Sequence, residues 1–176
     1  MTSKLILVLG GARAGKSTFA LRLAKEHAGE GSVTFIATAQ ALDDEMAQRI
    51  ARHREERPAH WSTIEEPYQL DEALIRASDS DVVIVDCLTL FLSNWLLRSD
   101  ETTLQKVTKH FLATVRSQTQ TVICISNEVG LGLVPETPLG RTFRDLLGRV
   151  NQQFAEAADE VYLLVAGLPL RLKPRD

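Results

Sequence analysis

The chain has 176 residues, of which 44% are hydrophobic and 24% charged, and its formal net charge is −3 at pH 7. This length and composition predict one globular domain, residues 1–176, and exclude disordered and disulfide-stapled classes. No Lys/Arg block is long enough to favour a nucleic-acid partner, and no apolar run is long enough to span a membrane. Because no signal-peptide pattern precedes the first apolar run, we expect a cytoplasmic protein.

Short runs rich in β-branched residues alternate with helix-period segments along the whole chain. The runs predict strands buried on both faces of a parallel sheet, and the segments between them predict the crossover helices. The fold class is therefore α/β, a mostly parallel sheet flanked by helices. A last run, residues 168–172, predicts an antiparallel edge strand, although Pro169 weakens it. The predicted strands are residues 5–9, 33–37, 82–85, 121–125 and 161–165, and the predicted helices are residues 17–27, 43–57, 68–77, 104–117 and 141–157.

A phosphate-binding loop follows the first predicted strand. The segment from Gly10 to Ser17 reads GGARAGKS, satisfies G-x-x-x-x-G-K-[ST] and opens the first predicted helix. Backbone N–H groups in this context curl around phosphate oxygens, Lys16 reaches the outer phosphates and the Ser17 hydroxyl ligates Mg²⁺. Asp86 ends the third run and is expected to be the second Mg²⁺ group, the alternative being a cap of the following helix. The sequence thus predicts a nucleoside triphosphate and Mg²⁺.

Residues that are missing near this loop narrow the class of nucleotide enzyme. Asp86 is followed by Cys87 rather than by a glutamate that would polarise water, which disfavours motor-type hydrolysis. Ser126-Asn127-Glu128 stands where a guanine-reading N-K-x-D motif would follow the fourth strand, which disfavours a switch GTPase. The Gly-rich stretch 129–140 is interpreted either as a cover over the ligand crevice or as a plain surface loop.

One histidine shares a helix face with apolar residues. Met46, Ile50, His53 and Arg57 follow one another at spacings of four, three and four. Neighbouring arginines are expected to lower the pKa of His53 and keep its ring neutral, and a neutral imidazole can attack phosphorus. A hydrogen-bonded core histidine shows the same spacing, so the residue pattern alone leaves both roles open.

Several further segments carry a resemblance to a known family. They are RIARHR at residues 49–54, FIATAQ at 35–40, DCLT at 86–89 and SNEVGLGLVPE at 126–136. With the phosphate-binding loop they resemble the bifunctional adenosylcobinamide kinase/adenosylcobinamide-phosphate guanylyltransferase family of cobalamin biosynthesis. The resemblance extends over residues 5–172.

The resemblance implies a RecA-like P-loop fold, a homotrimer and two reactions. ATP or GTP phosphorylates adenosylcobinamide, and GMP is then transferred from GTP to adenosylcobinamide phosphate with release of pyrophosphate. The guanylylated histidine of the family corresponds to His53, and Lys16 would stabilise charge on the leaving pyrophosphate. The nucleotide-binding residues it implies are Gly10, Gly11, Ala12, Arg13, Ala14, Gly15, Lys16, Ser17, Ala37, Thr38, Ala39, Arg54, Glu55, Glu56, Arg57, Glu65 and Asp86.

Two function classes compete with this interpretation. A simple P-loop small-molecule kinase, with Arg141 and Arg144 as lid arginines, would transfer a γ-phosphoryl group without forming a covalent nucleotide. A non-enzymatic RecA-like assembly module would oligomerise with nucleotide and form no corrinoid product. Incubation with GTP followed by intact-protein mass spectrometry separates the bifunctional enzyme from a simple kinase.

Overall fold

The computed structural model describes residues 3–131 and 133–174. In chain order, the elements in this part are β1 Lys4–Gly10, α1 Lys16–Ala28, β2 Val33–Ala37, α2 Asp44–Glu55, β3 Ser62–Glu65, α3 Leu70–Arg76, β4 Val82–Asp86, α4 Leu88–Leu96, α5 Glu101–Ser117, β5 Thr121–Asn127, α6 Pro138–Ala157, β6 Glu160–Val165 and β7 Leu168–Lys173. The strands form one sheet in the order β3-β2-β4-β5-β1-β6-β7.

Most neighbouring strands of this sheet run parallel. β1 pairs with β5 and β6, and β4 pairs with β2 and β5, all in the parallel sense. β7 pairs with β6 antiparallel and forms the edge of the sheet. The predicted α/β class and the predicted antiparallel edge strand are therefore confirmed.

Helices cover the sheet on both faces, which is why its central strands are continuous apolar runs. One core cluster includes Phe91, Phe111 and Phe154, with α5 and α6 packed beside the sheet. The other includes Phe19 of α1 and Phe35 of β2. Burial of both faces fixes the register of the strands and makes the sheet rigid. The residues that directly follow the strands are therefore held in fixed positions.

Two elements were not predicted from the sequence. β3 is an edge strand with three of its four residues exposed, so no apolar run marks it. α4 reads LTLFLSNWL and is apolar on most sides, which hides the helical period. Its buried residues include Leu88, Phe91 and Leu92, which pack into the core.

The Gly-rich stretch 129–140 is partly helical, because α6 begins at Pro138 with Thr137 as its cap. The Gly140 N–H donates to Thr137 Oγ1 at 3.1 Å. Residues 129–131 and 133–137 form no helix or strand, and Leu131 and Leu133 are exposed there. Gly132 lies outside the described residues, and a role as cover or plain loop stays a prediction.

Among the helices that the structure describes, none has both the length and the apolar character that crossing a membrane requires.

Candidate active site

A cavity of about 450 Å³ opens beyond the carboxyl ends of β1, β2, β4 and β5. In open α/β sheets this crevice is where ligands bind, because several strand ends and helix N-termini converge there. It is lined by Ala12, Arg13, Ala14, Gly15, Lys16, Ser17, Thr18, Ala37, Ala39, Met46, Arg49, Ile50, His53, Arg57, Asp86, Cys87, Leu90, Ile125 and Asn127.

The phosphate-binding loop forms one wall of this cavity. Gly15 has φ +92°, a left-handed conformation that glycine adopts without strain, and α1 begins directly after it. Lys16 Nζ donates to the Gly11 carbonyl oxygen at 2.6 Å, so the ammonium group lies across the loop. Burial lowers the pKa of Lys16, while the nearby Cys87 and Asp86 act in the opposite direction. The loop thus presents helix N–H groups and one confined cation to the cavity.

A buried network positions Asp86 on the facing wall. Thr38 N–H donates to the Asp86 carbonyl oxygen at 3.0 Å. Its hydroxyl donates to the Cys87 carbonyl oxygen and accepts from Cys87 N–H, both at 2.8 Å. Asn94 Nδ2 donates to the carbonyl oxygens of Thr38 and Pro67 at 2.9 and 3.1 Å. Thr38 is fully buried, so it joins the ends of β2 and β4 and does not line the cavity.

Asp86 is not the cap of the following helix. The cap position of α4 is Cys87, which makes no side-chain capping hydrogen bond. The Asp86 carboxylate instead faces the cavity, and its Oδ2 lies 3.7 Å from Nδ1 of His53. The alternative of a capping aspartate is therefore excluded by the geometry.

Helix α2 brings His53 to the carboxylate. The helix begins after Asp43, whose Oδ1 accepts from the Met46 N–H at 2.7 Å, and acidic residues in its first turn suit the helix dipole. Met46, Ile50, His53 and Arg57 all line the cavity, as their shared face predicted. The His53 side chain is 43% exposed, so it is not a core histidine.

The direction of the His53 pKa differs from the sequence prediction. Interaction with the Asp86 carboxylate raises the pKa of His53, against smaller lowering effects of partial burial and of Arg57. The expected net lowering by neighbouring arginines is wrong, because the raising effect of the Asp86 carboxylate outweighs the lowering effect of Arg57. Arg54 pairs with Glu65, and Arg52 is exposed.

A second, smaller cavity of about 310 Å³ adjoins the first at Arg57, which lines both. The Arg57 guanidinium lies 3.6 Å from the centre of the Phe35 ring, and burial lowers the pKa of Arg57. The Arg54–Glu65 ion pair crosses this cavity's wall. The remaining lining residues are Pro58, Ala59, Trp61 and Thr63.

Residues 6–172 match the family model for cobinamide kinase / cobinamide phosphate guanyltransferase. The chain belongs to this family. The resemblance stated from the sequence is confirmed, and with it the prediction that the chain is an enzyme of the kinase and guanylyltransferase class.

Curated relatives match almost the whole chain. The bifunctional adenosylcobalamin biosynthesis protein CobP of Pseudomonas aeruginosa is 46% identical over 168 residues, covering 95% of this chain and 96% of the relative. The corresponding CobU proteins of Escherichia coli and Salmonella typhimurium are 42% and 40% identical over 184 residues, each covering 96% of this chain and 99% of the relative.

Two solved structures share the fold. The flagellar accessory protein FlaH of Methanocaldococcus jannaschii aligns with TM-score 0.57 and 17% identity, covering 98% of this chain and 80% of that chain. A KaiC-like protein of Pyrococcus horikoshii aligns with TM-score 0.51 and 15% identity, covering 92% and 71%. These likenesses bear on the fold alone, and they agree with the predicted mostly parallel sheet flanked by helices.

The structure brings most of the predicted site residues of this family member together. Those that line the main cavity are Ala12, Arg13, Ala14, Gly15, Lys16, Ser17, Ala37, Ala39, His53, Arg57 and Asp86, and those that line the second cavity are Arg54, Arg57 and Glu65. The others line neither cavity: Gly10, Gly11, Thr38, Glu55 and Glu56. Glu55 and Glu56 are exposed at the end of α2, whereas Gly11 acts through the carbonyl that holds Lys16.

Several lining residues were not predicted as site residues. Asn127 and Ile125 lie at the end of β5, and the polar segment Ser126-Asn127-Glu128 after the fourth predicted strand was the available sign. Leu90 lies on α4, a helix that was not predicted. Thr18 and Arg49 also line the cavity. Whether they reach the cavity depends on how α1 and α2 pack on the sheet.

The oxygen donors of this cavity fit Mg²⁺. The described residues contain no group of three or more His, Cys, Asp or Glu side chains placed to hold a metal. Ser17, which carries a hydroxyl, and Asp86, which carries a carboxylate, both line the cavity. Mg²⁺ commonly takes one or two protein oxygens and completes its shell with water and substrate phosphates. Ser17 and Asp86 therefore suit an ion that arrives with a nucleotide.

Proposed function

We propose that this chain phosphorylates adenosylcobinamide with a nucleoside triphosphate and then transfers GMP from GTP to adenosylcobinamide phosphate through guanylylated His53. The observation that carries this proposal is one cavity in which His53 Nδ1 lies 3.7 Å from Asp86 Oδ2 and which Lys16 and Ser17 also line. Family membership supports the two activities, and the cavity supports the histidine route.

The phosphate-binding loop would hold the triphosphate. Helix α1 directs its free N–H groups into the cavity, and Lys16 would pair with the outer phosphates. Ser17 and Asp86 would hold Mg²⁺, which shields phosphate charge when bound. The nucleotide would then run from the loop toward α2, where His53 lies.

Guanylylation requires a free imidazole nitrogen. The Asp86 carboxylate faces Nδ1, which favours the tautomer with the proton on Nδ1 and leaves the lone pair on Nε2. Nε2 would form a bond to the α-phosphorus while the bond to the α,β-bridging oxygen breaks, and pyrophosphate would leave with the electron pair. Lys16 would stabilise the charge gained by pyrophosphate.

The second cavity would hold the guanine base. It adjoins the first at Arg57, and it offers the Arg54–Glu65 pair together with Trp61. A guanine presents acceptors on one edge and N–H donors on another, so a carboxylate and guanidinium groups suit it. This arrangement supports GTP rather than ATP as the source of the transferred nucleotide.

The proposed route predicts a covalent product, which intact-protein mass spectrometry detects. Incubation with GTP and Mg²⁺ should add the mass of one GMP to the wild-type chain, and His53→Ala should abolish the addition. His110→Ala is the matched control, because His110 lies on the exposed side of α5, 3.2 Å from Asp71, and does not line the cavity.

Three results distinguish the competing functions. Labelling of His53→Ala would contradict the histidine route. Phosphorylation of adenosylcobinamide without any covalent nucleotide on the wild-type chain would identify a simple kinase. Nucleotide-dependent oligomerisation without a corrinoid product would identify an assembly module.

We also propose the homotrimer that the resemblance implies. Its support here is an exposed apolar row on the edge hairpin, where Val165, Leu168 and Leu170 are each more than half exposed. Light scattering coupled to size-exclusion chromatography measures the mass directly, and a monomer at micromolar concentration would contradict this part of the proposal.

A further inference from the structure

Asn127 lies at the edge of the sheet between the phosphate-binding loop and Asp86. It is the last residue of β5, which separates β1, the strand that leads into the phosphate-binding loop, from β4, which ends at Asp86. The register pairs Asn127 with Gly10, and it pairs Asp86 with Ile125. Because neighbouring strands are about 4.8 Å apart, Asn127 lies one strand spacing from the start of the loop. Asn127 is one of the residues that line the cavity.

The backbone of Asn127 is held on both sides. Its N–H donates to Thr89 Oγ1 at 2.8 Å, and its carbonyl oxygen accepts from Asn151 Nδ2 at 3.1 Å. Asn151 is buried on α6 and also accepts from the Ser126 hydroxyl at 2.7 Å. Side chains of α4 and α6 therefore hold the end of β5, and the Asn127 side chain is not needed to hold it.

The Asn127 carboxamide has unused donors. Within residues 3–131 and 133–174 no hydrogen bond to this carboxamide is present. Its NH₂ group supplies two donors and carries no charge. Asp86, on the neighbouring strand, is a carboxylate and cannot donate when ionised, and the Lys16 ammonium already donates to Gly11.

We propose that the Asn127 carboxamide donates a hydrogen bond to the terminal phosphate of the bound triphosphate, a role that rests on the proposed function. The loop surrounds the inner phosphates, so the outermost phosphate lies deepest toward the ends of β5 and β4. A neutral donor there orients the terminal phosphate between Lys16 and Asp86 without repelling the ammonium. Phosphoryl transfer depends on such orientation.

Calorimetric binding of two analogues isolates this contact. The α,β-methylene analogues of GTP and GDP differ only by the terminal phosphate, and neither releases a leaving group on attack at the α-phosphorus. Asn127→Ala should bind the GTP analogue about ten-fold more weakly than the wild type, the scale of one hydrogen bond to a charged group, and bind the GDP analogue equally well. Asn127→Asp, of the same shape, should lose more because its carboxylate repels the phosphate.

Gln152→Ala is the matched control, an exposed carboxamide on α6 beside Asn151 that should keep both affinities. Equal weakening of both analogues in Asn127→Ala would show a general distortion of the site and overturn the proposal. Unchanged affinity for the GTP analogue would overturn it as well. Neither result touches the covalent labelling of the wild-type chain, whereas a wild-type chain that binds neither analogue contradicts the proposed function itself.

Discussion

The two glycines that open the phosphate-binding loop should respond very differently to alanine. Gly10 ends β1 at φ +155°, opposite Leu164 of β6. A Cβ at Gly10 would lie 2.7 Å from the Leu164 carbonyl oxygen and 3.2 Å from the Leu164 Cβ. A Cβ at Gly11 would meet no atom within 4 Å in the described structure. Gly11→Ala is therefore a matched control one residue away.

The expected loss for Gly10→Ala follows from two physical effects. The clash is with the backbone of a paired strand, so relief requires β1 and β6 to separate, and such overpacking costs about 1–3 kcal/mol. A non-glycine residue at this positive φ costs roughly another 1–3 kcal/mol. The sum, about 2–6 kcal/mol, is a large part of a typical folding free energy of about 5–15 kcal/mol. Gly11→Ala should change the unfolding free energy by about 1 kcal/mol or less.

Urea unfolding followed by circular dichroism measures this difference. With a slope of roughly 2 kcal/mol per molar urea, a loss of about 2 kcal/mol lowers the midpoint Cm by about 1 M. Gly10→Ala should show at least that decrease, and Gly11→Ala should stay near the wild type. Equal midpoints for the two variants would refute the claim that close packing against β6 restricts position 10 to glycine.

Two further predictions concern the walls of the cavity. Asp86→Asn removes the carboxylate that raises the pKa of His53, so the NMR titration midpoint of His53 should fall. An unchanged midpoint would contradict the conclusion that Asp86 raises this pKa. Because folding raises this pKa, the His53–Asp86 pair stabilises the folded state fully at pH values below about 6.5, and this stabilisation is lost above the raised pKa. The difference in Cm between the wild type and Asp86→Asn should therefore narrow as the pH rises. Asn94→Ala removes donors to the Thr38 and Pro67 carbonyls and should lower the unfolding free energy by about 1–3 kcal/mol, and an unchanged Cm would show that water replaces these bonds.

Local patterns in the sequence were sufficient for the frame of the molecule. The β-branched runs predicted the central strands because burial on both faces demands continuous apolar residues. The order of strand, glycines, Lys16 and Ser17 predicted the phosphate-binding loop because that function depends on neighbours in the chain. β3 escaped prediction because three of its four residues are exposed, and α4 because it is apolar on most sides.

The charge environment of the cavity depended on distances that no local pattern contains. Arginines next to His53 in the chain indicated a lowered pKa, yet the Asp86 carboxylate, 33 positions later in the chain, lies 3.7 Å from His53 Nδ1 and raises its pKa. Asn127 reaches the same cavity only because β5 inserts between β1 and β4. The sequence by itself therefore determined the central strands, the loop and the family of this protein, since these depend on residues close together in the chain. Only the tertiary structure decided which side chains face one another across the cavity, because electrostatic and hydrogen-bonding interactions act over a few ångströms of space regardless of separation along the chain.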